Sequence, residues 1–139
     1  MPEKLRAQYS CATGHNVPMP SRQPAPSIFL VKITLVGIDP PIWRRLQVPA
    51  SIKLCCLHGA FQVVMGWTDS HLHQFEKNGQ KWGVPEYDEF DEFDLIGEDT
   101  TQLAEVLTSA GDSMFYQYDF GDDWRHEVFL EKTQPATVR

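Results

Sequence analysis

Between Ile28 and Val36 every second residue is apolar. Phe29, Val31, Ile33 and Leu35 share one face while Lys32 and Thr34 interrupt the other, as a strand with one buried face requires. Gly37 to Pro41 reads as a turn, because Pro40-Pro41 excludes a helix there. Alternation resumes from Ile42 to Val48, with Ile42, Arg44, Leu46 and Val48 on one face and Trp43, Arg45 and Gln47 on the other, until Pro49 ends it. The rhythm then becomes helical from Ser51 to Met65. Leu54, Leu57, His58, Phe61, Val64 and Met65 fall on one face, Ser51 is placed to cap the start and Gly66 to close the end.

His71 to Glu76 reads as a strand. The Asn78-Gly79 pair tolerates the positive φ angles of a tight hairpin, so Lys81 to Val84 is expected to return beside it. Residues 86–99 hold eight carboxylates and no base, the composition of a solvated loop. Thr100 or Thr101 is expected to cap a short second helix through Leu103, Val106 and Leu107. Met114 to Asp119 and Trp124 to Glu131 are two last strands. The order ββ-α-ββ-α-ββ predicts a single α+β domain over residues 28–132, with a largely antiparallel sheet and two helices.

The ends differ from this middle. Residues 1–27 hold five of the ten prolines and no periodic apolar pattern, and are expected to be a flexible Pro-rich tail; residues 133–139 are expected to be a second tail. The chain of 139 residues carries a net charge of -7, and setting aside Lys4, Arg6, Arg22 and Glu3 leaves -9 on residues 28–139. That balance disfavours a protein that wraps nucleic acid through a basic face. No apolar run approaches the ~18 residues that span a bilayer. The amino end lacks the apolar stretch of a secretory signal, so no leader is expected. Three cysteines, two of them adjacent, make no disulfide framework and read as ordinary thiols. A cytoplasmic location is expected.

Three groups of residues carry candidate chemistry. Arg44 is out of pattern, a charge on an apolar face, and needs a carboxylate if buried; Asp119, Asp122 and Asp123 are the expected partners. If its strand lies at an edge, Arg44 instead reaches water. His71 and His73 would stand about 7 Å apart on one face of a strand. With His58, His126 or an aspartate such as Asp119 they are candidate ligands for a divalent metal, zinc or iron. The segment Tyr116 to Glu127 is densest in polar and aromatic groups. Asp123 and Glu127 are its candidate acid-base residues, and Tyr116, Tyr118, Trp124 and Arg125 are candidates for a binding or structural network with Trp43, Arg44 and Arg45.

Four ordered blocks, Pro40-Pro41-Ile42-Trp43-Arg44-Arg45, Leu57-His58, Gly66-Trp67 with His71-Leu72-His73-Gln74-Phe75, and Tyr116 through Glu127, resemble the plasmid pRiA4b ORF-3-like family. The resemblance runs from about Ile28 to Glu131. It implies a single α+β domain of a bacterial or archaeal cytoplasm, often encoded beside plasmid or transposon genes. It brings no established reaction, so no catalytic residues are carried over.

Three functions follow as expectations. The first is a non-enzymatic binding or accessory domain with a protein partner and no cofactor, in which the tryptophans and tyrosines anchor the interface. The second is a metal-assisted hydrolase of a phosphoester, with His71, His73, His126 and an aspartate on a divalent metal, and Asp123 or Glu127 activating water. The third is weak DNA binding through Arg44 and Arg45, which the charge opposes. No membrane partner is expected.

Overall fold

The computed structural model describes residues 27–88 and 94–136. The strands are β1 (Ser27–Leu35), β2 (Trp43–Pro49), β3 (His73–Lys77), β4 (Gln80–Gly83), β5 (Ile96–Gly97), β6 (Ser113–Tyr118) and β7 (Trp124–Pro135). The helices are α1 (Leu54–Met65), α2 (Leu103–Val106) and one 3₁₀ turn at Pro85–Tyr87. All seven strands join one sheet in the order β2-β1-β7-β6-β3-β4-β5. Its pairings are antiparallel except β4 with β5. The chain is therefore α+β, as expected, but with one strand more and shorter helices than the pattern indicated. β5 arises within the stretch expected to be only a loop.

The alternation of β1 translates directly into two faces. Phe29, Val31, Ile33 and Leu35 are buried, and so are Val128 and Leu130 of β7, Met114, Tyr116 and Tyr118 of β6, and Phe75 of β3. Leu54, Leu57 and Phe61 of α1 pack against this face. The opposite face carries half-exposed Lys32, Thr34, Phe115 and Phe129. β2 and β5 are the sheet's two edges.

Local signals set the ends of elements. Gly66 adopts φ 77° and its N–H bonds the carbonyls of Gln62 and Val63, closing α1. Asn78 and Gly79, at φ 52° and 84°, make the tight turn between β3 and β4. The helix starts depart from expectation. Ser51 does not cap α1, whose preceding residue is Lys53. The two helices supply each other instead: Leu54 N–H donates to Thr101 O at 3.0 Å and Leu103 N–H to Ile52 O at 2.8 Å. The capping box of α2 belongs to Gln102 and Glu105, whose carboxylate accepts from the Gln102 N–H at 2.7 Å. The second strand pair begins at His73, leaving His71 and Leu72 outside it. β7 runs to Pro135, three residues into the stretch expected as a tail. Apart from Ser27, the expected N-terminal tail lies outside the described residues.

Candidate functional site

α1 brings His58 and Gln62, one turn apart, to the sheet, where both are buried. Tyr116 rises from the middle of β6 between them. Its hydroxyl lies 2.7 Å from His58 Nδ1 and accepts from Gln62 Nε2 at 2.8 Å. His58 Nε2 lies 2.8 Å from Asp69 Oδ1, and the Asp69 N–H donates to Gln62 Oε1 at 2.7 Å. The ring closes with each donor matched to an acceptor: His58 Nε2–H donates to Asp69, and its Nδ1 accepts from the tyrosine. Asp69 holds φ 55°, a conformation that aspartate tolerates better than most residues.

A second histidine–carboxylate pair lies against the first. His73 Nε2 is 2.7 Å from Glu98 Oε1, both side chains buried, and the His73 ring stacks on His58 with centroids 3.5 Å apart and planes 6° from parallel. Burial first, then the neighbouring His73, hold the His58 imidazole below its ordinary range, against the opposing pull of Asp69. Burial likewise holds His126 low and lifts the Tyr116 phenol well above its ordinary range. The state of His126 is set by its neighbours. The Trp67 indole N–H donates to His126 Nε2 at 3.1 Å, so the ring's proton sits on Nδ1, which donates to Tyr116 O at 3.0 Å.

Above this buried layer lies one end of the sheet. Val36 N–H bonds Arg125 O, and Asp119 N–H bonds Leu72 O. Opposite residues in the ladders are Thr34 with Trp43, Leu35 with His126, Tyr118 with Trp124 and His73 with Tyr118. The β1–β2 turn, the β6–β7 turn and the approach to β3 thus share one rim, five strands and roughly 20 Å wide. Trp67, just past α1, packs on it with ring centroids 5.4 Å from both Tyr118 and Trp124. In the β6–β7 turn Asp119 and Asp123 hold φ 65° and 55°, and Asp119 Oδ1 accepts from the N–H groups of Gly121 and Asp122.

The rim gathers much of what the sequence singled out, but not in the expected pairings. Arg44 does not meet Asp119, Asp122 or Asp123. It is exposed on edge strand β2, where its Nε donates to Val64 O at 3.2 Å in the last turn of α1 and its Nη1 to Trp43 O at 2.8 Å. The edge alternative for this residue is the correct one. Arg45 points to the other face and grips Glu131 through two bonds of 2.6 and 3.2 Å, holding that carboxyl below its usual range. Arg45 and Lys32 lie over the Trp43 ring at 4.9 and 4.7 Å. Arg125 pairs with Glu76 at 3.1 Å and covers Phe115. Asp123 accepts from Gln117 at 2.8 Å, while Asp122 and Glu127 are exposed.

The candidate metal ligands separate too. His71 is 53% exposed and 3.5 Å from Asp119 Oδ2, His73 is buried with Glu98, and His126 is buried with Trp67. The strand expected to align His71 with His73 starts only at His73, so the two imidazoles lie in different surroundings. Among the described residues no group of three His, Cys, Asp or Glu is placed to hold a metal. His71 and Asp119 form a pair able to pass a proton, yet the neighbouring Ser70 hydroxyl engages Thr68 at 2.7 Å rather than His71. The two adjacent cysteines lie on α1: Cys56 is a free thiol whose pKa burial raises, and its Sγ lies 3.9 Å from that of Cys55. Sequence reasoning missed Gln62, Asp69 and Glu98. Only Gln62 left a trace, four residues after His58 on a helix facing the core.

Residues 27–139 match the family described as plasmid pRiA4b ORF-3-like protein. The chain belongs to that family. It is 36% identical over 110 residues to the uncharacterized protein y4hQ of Sinorhizobium fredii, covering 79% of this chain and 56% of that protein. The chain thus spans a little over half the length of this relative. The crystal structure of MM3350, a protein of unknown function from Methanosarcina mazei Go1, shares 36% identity and superposes with a TM-score of 0.73, covering 84% of this chain and 67% of that one. The fold of this chain is therefore shared with MM3350. Among the described residues no helix is long and apolar enough to cross a membrane.

Proposed function

We propose that this pRiA4b ORF-3-like domain is a non-enzymatic protein-binding module, an accessory domain whose contact surface is the turn end of the sheet. One observation carries the reading. Val36 at 48% exposure and Ile42, Leu72 and Phe120 at 41% all stand on that rim, brought there from three separate connections. Exposed apolar residues scattered singly need no explanation, but their concentration at one end, rimmed by polar groups, is how a contact surface is built. Trp67 and Trp124 beneath it are rigid and pre-packed, so little side-chain freedom is lost on contact. The turn carboxylates of Asp119, Asp122 and Asp123 supply the polar border and favour a partner segment that combines apolar with basic residues. The family's plasmid association fits an accessory to a mobile-element protein.

The two other readings find less support. A metal-assisted hydrolase needs converging ligands, and His71, His73, His126 and Asp119 do not converge. A DNA-binding strand needs a basic face, and residues 28–139 carry a net charge of -9.

Selecting a random peptide library on the immobilised protein tests the proposal. Peptides joining Lys or Arg to apolar residues are expected, with affinity falling tenfold or more in the double variant Leu72→Ser, Phe120→Ser. Recovering no peptide, or peptides indifferent to that variant, overturns it.

A further inference from the structure

β2 is an edge strand of seven residues, whereas the opposite edge, β5, has two. Its hydrogen bonding alternates. Leu35 N–H bonds Ile42 O and Ala50 N–H bonds Ser27 O, so the even-numbered residues of β2 face β1 and the odd-numbered ones face outward. Of the outward carbonyls, Trp43 O is taken by Arg44 and Pro49 O by Ile52 N–H. The N–H and C=O groups of Arg45 and Gln47 have no partner among the described residues. They form a short unpaired ladder in the middle of the strand.

The side chains beside that ladder say what it would accept. On a domain of net charge -9 over residues 28–139, β2 carries Arg44 and Arg45 and no carboxylate. On the outer face Arg45, paired with Glu131 but still half-exposed, stands opposite Lys32 of β1, so the two cations there face one carboxylate; on the inner face stands Leu46, half-buried at the margin of the core. A second copy of this chain fits badly. Antiparallel pairing of β2 with itself over all seven residues sets Trp43 opposite Pro49, which has no N–H to give, and slips of two residues set Arg45 opposite Arg45 or opposite Pro49.

We propose that the free edge of β2 is a docking site for an extended segment of a partner protein, alternating acidic and apolar residues, which adds to the sheet as an eighth strand. Its acidic residues lie beside Arg45 on the outer face and its apolar residues beside Leu46 on the inner one. This surface is separate from the rim, and either can fail without the other.

The test uses an acetylated, amidated ten-residue peptide alternating Glu and Val, titrated into the full chain and followed by amide hydrogen exchange. Protection of the Arg45 and Gln47 amides is expected to rise at least tenfold. A peptide with Lys replacing Glu is expected to bind at least tenfold more weakly. Gln47→Pro removes an N–H that β1 does not use, so the fold is kept while peptide affinity drops tenfold or more. Should that variant fail to fold by circular dichroism, Arg45→Gln gives the same readout with a fivefold loss. Unchanged exchange at both amides with millimolar peptide, equal binding of the Lys peptide, or protection of these amides by self-association without peptide each overturns the proposal.

Discussion

The Tyr116 hydroxyl has two partners, the Gln62 amide and His58 Nδ1. Removing it in Tyr116→Phe leaves the Gln62 amide donor and the His58 Nδ1 acceptor buried without a bond. A buried polar group left unsatisfied costs roughly 1–3 kcal/mol. The variant is expected to lose about 3 kcal/mol in urea denaturation, and a loss below about 0.5 kcal/mol would mean that the network contributes nothing. The sequence placed His58 on the apolar face of a helix and Tyr116 in a strand, as a candidate for a binding or structural network. It did not announce that they meet, because 58 residues separate them and either could have met water or a backbone group. Asp69 was less legible still. A lone aspartate after a helix is the ordinary composition of a loop, and only its buried contact with His58 distinguishes it.

Elements obey their local signals where the satisfying group is itself local. Gly66 closes α1 and Asn78-Gly79 turns the β3–β4 hairpin because each needs only its own backbone freedom. The helix starts do not follow the sequence. A serine at the right spacing is a cap only if no better acceptor arrives, and here the carbonyls of Ile52 and Thr101 arrive from the facing segment. Edge status is likewise invisible in an alternating pattern. A sheet interior would have forced Arg44 to find an aspartate, but at the edge it bends to the exposed carbonyl of Val64, where the negative end of the helix dipole favours it. Arg44→Ala is therefore expected to cost less than about 1 kcal/mol, since an exposed charge with a carbonyl partner contributes little. A loss of 3 kcal/mol or more in the same denaturation assay would indicate a buried ion pair instead.

The whole molecule responds to pH through its histidines. His58 and His126 are both held low by burial, so protonation favours the unfolded chain, where the ordinary value of about 6.5 returns. Their contribution is intact above that value and is lost progressively as the pH falls below it. Asp112, held low by its bond to Lys77, adds a second loss only near the acid end, as its carboxylate is protonated. Melting temperature is expected to stay level from about pH 8 to 7 and to fall from about pH 6.5 downward; a level profile to pH 5 would contradict the assignment of both imidazoles as neutral. Which chains of groups titrate together is a property of the assembled sheet. By itself the sequence determined which positions face inward, where strands and the main helix run, and where the tight turns fall, because alternation, helical spacing and backbone freedom act over a few residues. Only the tertiary structure decided which arginine met which acceptor, that His71, His73 and His126 part rather than converge, and that β2 is an edge. Those outcomes depend on which distant groups come within hydrogen-bond reach, and charge pairs from any of several carboxylates would have satisfied the same local pattern.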